Sequence, residues 1–135
     1  MEDSKSNRNH DGVRDDLDAH QHAIGARMQD VVSELIDLLG ATTVAVIGGV
    51  NETRAVHQWT DGRDPQRQTQ LRFALQLATM ICKTADTETA RAWFNGSNPH
   101  LDDKVPSLML RNEPLAEIQR PLMEAARAFA KAKHR

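Results

Sequence analysis

A chain of 135 residues with 39% hydrophobic content can bury one domain's core, or two very small units sharing one. Aromatic residues are only 4% of it, so aliphatic and alanine packing must build most of the interior. A formal net charge of −2 excludes a bulk electrostatic case for nucleic acid or membrane, and the single cysteine, Cys82, excludes an intramolecular disulfide and a cysteine-rich zinc site.

The polar, charged start is unlike a signal peptide, and no window approaches the roughly 20 apolar residues of a spanning helix. The expectation is a cytoplasmic chain with no membrane partner. Residues 1–22 carry many charges and almost no large apolar side chains, so they are expected to form a disordered polar arm. His10, His20 and His22 with Asp16 and Asp18 match no ligand spacing, so no metal site is assigned.

From Ile24 to Leu39, the positions Ile24, Met28, Val31, Val32, Leu35, Leu38 and Leu39 follow helical spacing and predict an amphipathic helix ended by Gly40. A short apolar helix over Thr42–Ile47 then meets the tight turn Gly48-Gly49. Asn51 is expected to cap the next helix, with Glu52 beside its start. Ala55, Val56 and Trp59 make the inner face, while Arg54, His57, Gln58 and Thr60 face out, and Asp61-Gly62 closes the helix. Helix, glycine turn, helix over residues 41–65 is the helix-turn-helix plan, and Arg54, His57, Gln58 and Arg63 are the candidate DNA contacts. The charge there is barely basic: Arg54, Arg63, Arg67 and Arg72 stand against Glu52, Asp61 and Asp64.

After Pro65, Leu71, Ala74, Leu75, Ala78 and Ile81 form the inner stripe of a helix over Gln66–Thr84. Phe73, Leu77, Met80 and Cys82 widen its apolar arc, which predicts a central helix packed on more than one side, with Cys82 buried and inert. Asp86 is placed to cap a helix over Thr87–Phe94. Asn95-Gly96 then suits a left-handed cap, Asn98-Pro99 sets a turn, and Leu101 is the apolar residue that would pin it. Asp102 and Asp103 precede Pro106, which fits the first position of a short helix over Ser107–Arg111. Asn112-Glu113-Pro114 breaks the chain again. The last helix, from Leu115 to about Ala132, has its stripe at Leu115, Ile118, Leu122, Ala125, Ala126 and Phe129, and Pro121 predicts a kink or a late start. Positive charge gathers at Arg127, Lys131, Lys133, His134 and Arg135. No nucleophile elbow, phosphate-cradling loop or zinc-protease motif occurs, so neither an enzyme nor a cofactor is expected.

Taken together, Trp93-Phe94, Asn98-Pro99, Leu101, Pro106 and Leu110 resemble the signature of the Xre/MbcA/ParS-type antitoxins. The resemblance covers roughly residues 90–129 and extends loosely to Gly49-Val50, Val56, Trp59, Gly62 and Pro65 of the helix-turn-helix. Members often carry glycines after the leucine, where this chain has Asp102 and Asp103, and Thr or Ser before the proline, where it has Val105. In the middle segment five residues, 51–55, separate the Gly-Val pair from the next buried β-branched residue, against the usual four. The resemblance implies an all-α fold: a compact bundle of about six or seven helices with an Xre-like helix-turn-helix in the middle. Residues 23–85 would be the helical region and residues 86–135 the toxin-binding domain.

The implied function is that of an antitoxin in a type II toxin–antitoxin pair, which binds and neutralises a cognate toxin, commonly a RES-domain protein that consumes NAD⁺, by blocking its active-site cleft. Trp93, Asn98, Pro99, Leu101, Pro106 and Leu110 would build the platform. Arg127, Lys131, Lys133, His134 and Arg135 would supply the blocking contact. The family also implies homo-oligomers within a toxin–antitoxin assembly; operator DNA is the partner under the alternative reading that follows. A DNA-binding transcriptional regulator is the alternative reading, and an adaptor or phage-type immunity protein using the same domain is a further one.

Overall fold

The computed structural model describes residues 16–21 and 26–134. Seven α-helices follow one another there: α1 (Met28–Leu39), α2 (Ala41–Gly48), α3 (Thr53–Thr60), α4 (Gln68–Cys82), α5 (Thr87–Asn95), α6 (Pro106–Asn112) and α7 (Leu115–His134). A 3-10 turn, Pro99–Leu101, sits between α5 and α6, and residues 16–21 are helical. The fold is all-α. No helix among the described residues is long and apolar enough to cross a membrane.

Helix α4 organises the bundle. It buries Leu71, Phe73, Ala74, Leu75, Leu77, Ala78, Met80 and Ile81, a set too broad for one face, so neighbours must cover it from several sides. Helices α1 and α7 are its principal partners, and α2 and α5 also reach it. Leu35 and Leu39 of α1, Ile47 of α2, Phe94 of α5, Leu110 of α6 and Ile118 and Leu122 of α7 close one continuous aliphatic core. Burying each such side chain contributes about 1.5–3 kcal/mol, which is how a chain so poor in aromatics holds together.

Several helix ends follow the local chemistry read from the sequence. Gly40, at φ 87°, ends α1 by donating to the Ile36 carbonyl at 2.8 Å. Asp86 caps α5, its Oδ1 accepting from the Thr89 amide at 2.8 Å. Pro106 opens α6 at the position where its missing donor costs nothing.

Four expectations are corrected. Glu52, extended at φ −136°, precedes α3 in place of Asn51 and makes no side-chain cap. The Asn51 oxygen is instead taken by Arg111, 60 residues on. Helix α7 starts at Leu115 and continues through Pro121, so the late start does not occur; Pro121 and Glu117, whose carbonyl loses its helical partner, are both exposed to solvent. Helix α1 starts at Met28 after an extended Arg27, and Ile24 lies outside the described residues. Finally, residues 16–21 are helical and bury Ala19, where an unstructured arm was expected; residues 1–15, with His10, and His22 lie outside the described residues.

Candidate functional site

The face that the sequence singles out is built where α5 ends. Its last full turn delivers Trp93 and Phe94 inward, with ring centroids 5.1 Å apart and planes 74° apart, an edge-to-face pair. Phe94 is wholly buried and Trp93 nearly so, and the Trp93 indole N–H has no acceptor.

Asn95 then ties three helices together. Its Nδ2 donates to Thr43 Oγ1 of α2 at 3.0 Å and to the Arg91 carbonyl at 2.9 Å, while its Oδ1 accepts from Ser107 Oγ of α6 at 3.2 Å. Because this amide is committed, Asn95 stays helical. Gly96 leaves in an extended conformation at φ −106°, and the left-handed cap expected at Asn95-Gly96 does not form.

The left-handed residues come later. Asn98 is the hub of a closed loop: its Oδ1 accepts from the His100 amide at 2.9 Å, and its carbonyl accepts from the amides of Leu101 at 2.9 Å and Asp103 at 2.8 Å. Its own amide donates to the Lys104 carbonyl at 3.0 Å, closing an isolated antiparallel bridge. To make that reversal, Asp102 and Asp103 both adopt positive φ, 57° and 65°, a conformation aspartate tolerates better than most residues. Both are exposed, and neither caps α6, whose N-cap Val105 offers no side-chain acceptor. Leu101, 5% exposed, plugs the loop into the core as expected.

Between this loop and α7 runs a groove of about 330 Å³. Ala125, Ala128, Phe129 and Ala132 line it along α7, at the spacing of one helical stripe, and Trp93, Pro99 and His100 form the opposite wall. Alanines with Phe129 on one wall and rings on the other suit an inserted apolar side chain. A shallower hollow of about 210 Å³ lies on the other flank of the loop, where Lys104 and Glu113 form a 3.5 Å ion pair. Exposed as that pair is, it contributes little.

Leu101, Pro106 and Leu110 are buried and shape the surface from beneath; Trp93 and Asn98, also buried, line the groove, and Pro99 is exposed. Lys131 is exposed, and Arg127 is paired with Asp16 at 2.6 Å. The side chains of Lys133 and His134, and all of Arg135, lie outside the described residues. The groove walls Ala92, His100, Ala128 and Ala132 were not singled out from the sequence, although the alanine run after Glu124 was their visible trace.

Helices α2 and α3, with the turn between them, are fastened to the same region. Gly48 lies under the Trp59 ring, where an added Cβ would come within 2.6 Å of it. Gly49, at φ 80°, makes the left-handed turn. Arg111 of α6 then spans the turn. Its Nη1 donates to the carbonyls of Ala45, Val46 and Val50 at 3.5, 3.2 and 3.1 Å, and its Nη2 donates to Asn51 Oδ1 at 3.1 Å. Arg67 donates to the Arg111 carbonyl from below. Arg111 thus adds a cation at the end of α2, whose Ala45 and Val46 carbonyls also accept from the Val50 and Gly49 amides, and the negative end of the helix dipole favours it there.

Arg54, His57 and Gln58 are exposed at i, i+3, i+4 spacing along α3, and Arg63 is exposed just beyond it. Of the other two basic residues of this segment, Arg67 serves Arg111 and Arg72 donates to the Ala26 carbonyl at 2.6 Å. Cys82 ends α4 half-buried; desolvation, then the nearby Asp86 carboxylate, raise its thiol pKa above the ordinary value. Among the described residues no three His, Cys, Asp or Glu side chains gather as a metal site.

Comparison with family models, curated proteins and solved structures gives no match to this chain.

Proposed function

We propose that this protein is an antitoxin that binds a cognate toxin through the face made by the end of α5, the 98–104 loop and α7. The observation that carries the reading is the loop itself. Two successive left-handed residues follow the buried Leu101, at the positions where members of the resembled family often carry glycine, and Asn98 closes the loop around them. Asp102 and Asp103 in this chain therefore keep the backbone shape that the family's glycines suit. The loop in turn forms one wall of the apolar groove, beside the cation-bearing end of α7.

On this reading the chain is not a catalyst. It acts by covering the toxin, which for this family is commonly a RES-domain, NAD⁺-consuming enzyme, and by denying access to its cleft. The buried set Trp93, Asn98, Leu101, Pro106 and Leu110 holds the wall in shape. Pro99, His100, Ala128 and Phe129 meet the partner, and Lys131 to Arg135 reach its cleft. Co-expression with the product of each adjacent gene tests the proposal. Rescue of growth from one toxic neighbour, with recovery of a complex through a tag on this chain, is the expected result. The absence of both toxicity and association for every neighbour would overturn it. Deleting Lys131 to Arg135 is expected to lose neutralisation; unchanged binding and rescue would remove the basic end from the mechanism.

A second reading, binding of operator DNA by α3, is favoured by the exposed row Arg54, His57, Gln58 and Arg63. Against it, Arg67 and Arg72 are engaged internally, and Glu52, Asp61 and Asp64 are exposed alongside. A salt-dependent mobility shift on the upstream promoter supports this reading, and no shift with or without partner sinks it. The adaptor reading requires neither a toxic neighbour nor operator DNA.

A further inference from the structure

The N-terminal helical turn, residues 16–21, meets the bundle through three observed contacts. Ala19 is 1% exposed and belongs to the core cluster. Asp16 Oδ2 accepts from Arg127 Nε of α7 at 2.6 Å, and His20 Nδ1 lies 3.5 Å from Gln76 Oε1 of α4. The turn therefore lies across two helices that pack on each other. Its hold is light: one small side chain buried, one ion pair with Arg127 still 55% exposed, and one long polar contact, while Leu17, its largest apolar side chain, is 51% exposed. An exposed ion pair and little apolar burial make a segment that opens locally at small cost.

We propose that residues 16–21 are a displaceable strap, docked in cis on the α4–α7 seam, that withholds Arg127 from the partner. The regulatory half of this rests on the reading that α7 faces a toxin; the docking half does not. Arg127 is one of the cations of the α7 end, and Asp16 takes its Nε donor and offsets its charge in the free protein. A partner carboxylate that engages Arg127 through its Nε edge must displace Asp16 first. Strap occupancy then reduces the competent fraction and weakens apparent affinity in proportion. Salt screens the Asp16–Arg127 pair, so it narrows the difference between strapped and released chains.

The test uses the full chain and two variants, Ala19→Glu, which cannot bury its side chain, and Asp16→Asn, which keeps the shape and loses the charge. The probe is a fluorescent synthetic peptide of this chain's residues 9–23, read by anisotropy. The Ala19→Glu chain, its own strap released, is expected to bind the peptide several-fold more tightly than the wild-type chain, whose site is filled. A peptide carrying Asp16→Asn should lose that gain. Equal binding by both chains, or binding by neither, overturns the docked strap, with thermal melting showing that both are folded.

With the toxic neighbour as second ligand, both variants should bind several-fold more tightly than wild type at low salt. Unchanged affinity overturns the regulatory half. Failure of every chain to bind any neighbour, with the peptide result positive, ends the antitoxin reading and the regulatory half with it, and leaves the docked strap standing.

Discussion

Arg111→Ala gives the sharpest stability prediction, because one side chain closes the end of α2, the glycine turn and Asn51 together. Its guanidinium makes four hydrogen bonds, the three shorter ones at 3.1–3.2 Å and the fourth, to Ala45, at 3.5 Å. Hydrogen bonds to a charged group contribute about 1.5–3 kcal/mol each in isolation, but those sharing one guanidinium do not add. The Ala45 and Val46 carbonyls keep their backbone donors, and the site is half-buried, so water can reach the Val50 carbonyl and recover part of the loss. The expected cost is therefore about 2–3 kcal/mol, near the value of one well-made charged hydrogen bond. For a chain between the small and large size classes, that lowers Tm by about 6–12 °C. Arg111→Lys keeps the charge and loses the fork, so it should retain only part of the difference.

Urea and thermal unfolding followed by circular dichroism measure the loss, with the exposed Arg63→Ala as a control expected within about 0.5 kcal/mol of wild type. Amide exchange adds the location: in Arg111→Ala the amides of residues 49–53 should lose protection before those of α4. An Arg111→Ala protein within about 0.5 kcal/mol of wild type would refute the claim that this side chain closes the turn.

Gly48→Ala puts a methyl group 2.6 Å from the Trp59 ring and should destabilise by about 1–3 kcal/mol, with a shift in Trp59 emission; a neutral result would mean that the ring moves freely. Asp86→Ala removes the α5 cap and should cost about 1 kcal/mol by denaturant melts, while Asp86→Asn keeps most of it. Alkylation of Cys82 should be slower than that of a free thiol at neutral pH and should rise only above the usual thiol range, since burial first and Asp86 second disfavour the thiolate. The sign for stability follows: the folded state holds this proton more tightly than the unfolded one, so the contribution is complete below the ordinary thiol pKa and is lost as pH rises through the folded value. A stability curve flat across alkaline pH for wild type and Cys82→Ser alike would contradict it. Ala128→Glu should leave Tm within a few degrees of wild type, because the position faces the groove, and should abolish partner binding; retained binding would remove the groove from the interface.

The helices were legible wherever period and punctuation act locally. The α4 arc, the Gly40 stop, the Asp86 cap and Pro106 at the start of α6 all depend on neighbours within a turn. Misreadings came where a distant side chain took over a local group. Asn51 is a good cap by composition, yet Arg111 claims its oxygen from 60 residues away. Asn95 is denied its left-handed option by Thr43 and Ser107. Asp102 and Asp103 were read beside the start of α6, but the closure of Asn98 onto Lys104 decides their backbone. The loop residues of the candidate site were visible in the sequence. The groove was not, since Ala128 and Ala132 follow Ala125 and Ala126 in one alanine-rich stretch, and only tertiary packing separates wall from core.

The most direct test of the account is amide exchange across the chain with and without the toxic neighbour's product bound. New protection is expected over residues 92–100 and 125–132, on both walls of the groove, with α3 unchanged. Protection confined to α3, with the groove amides exchanging as in the free protein, would contradict it.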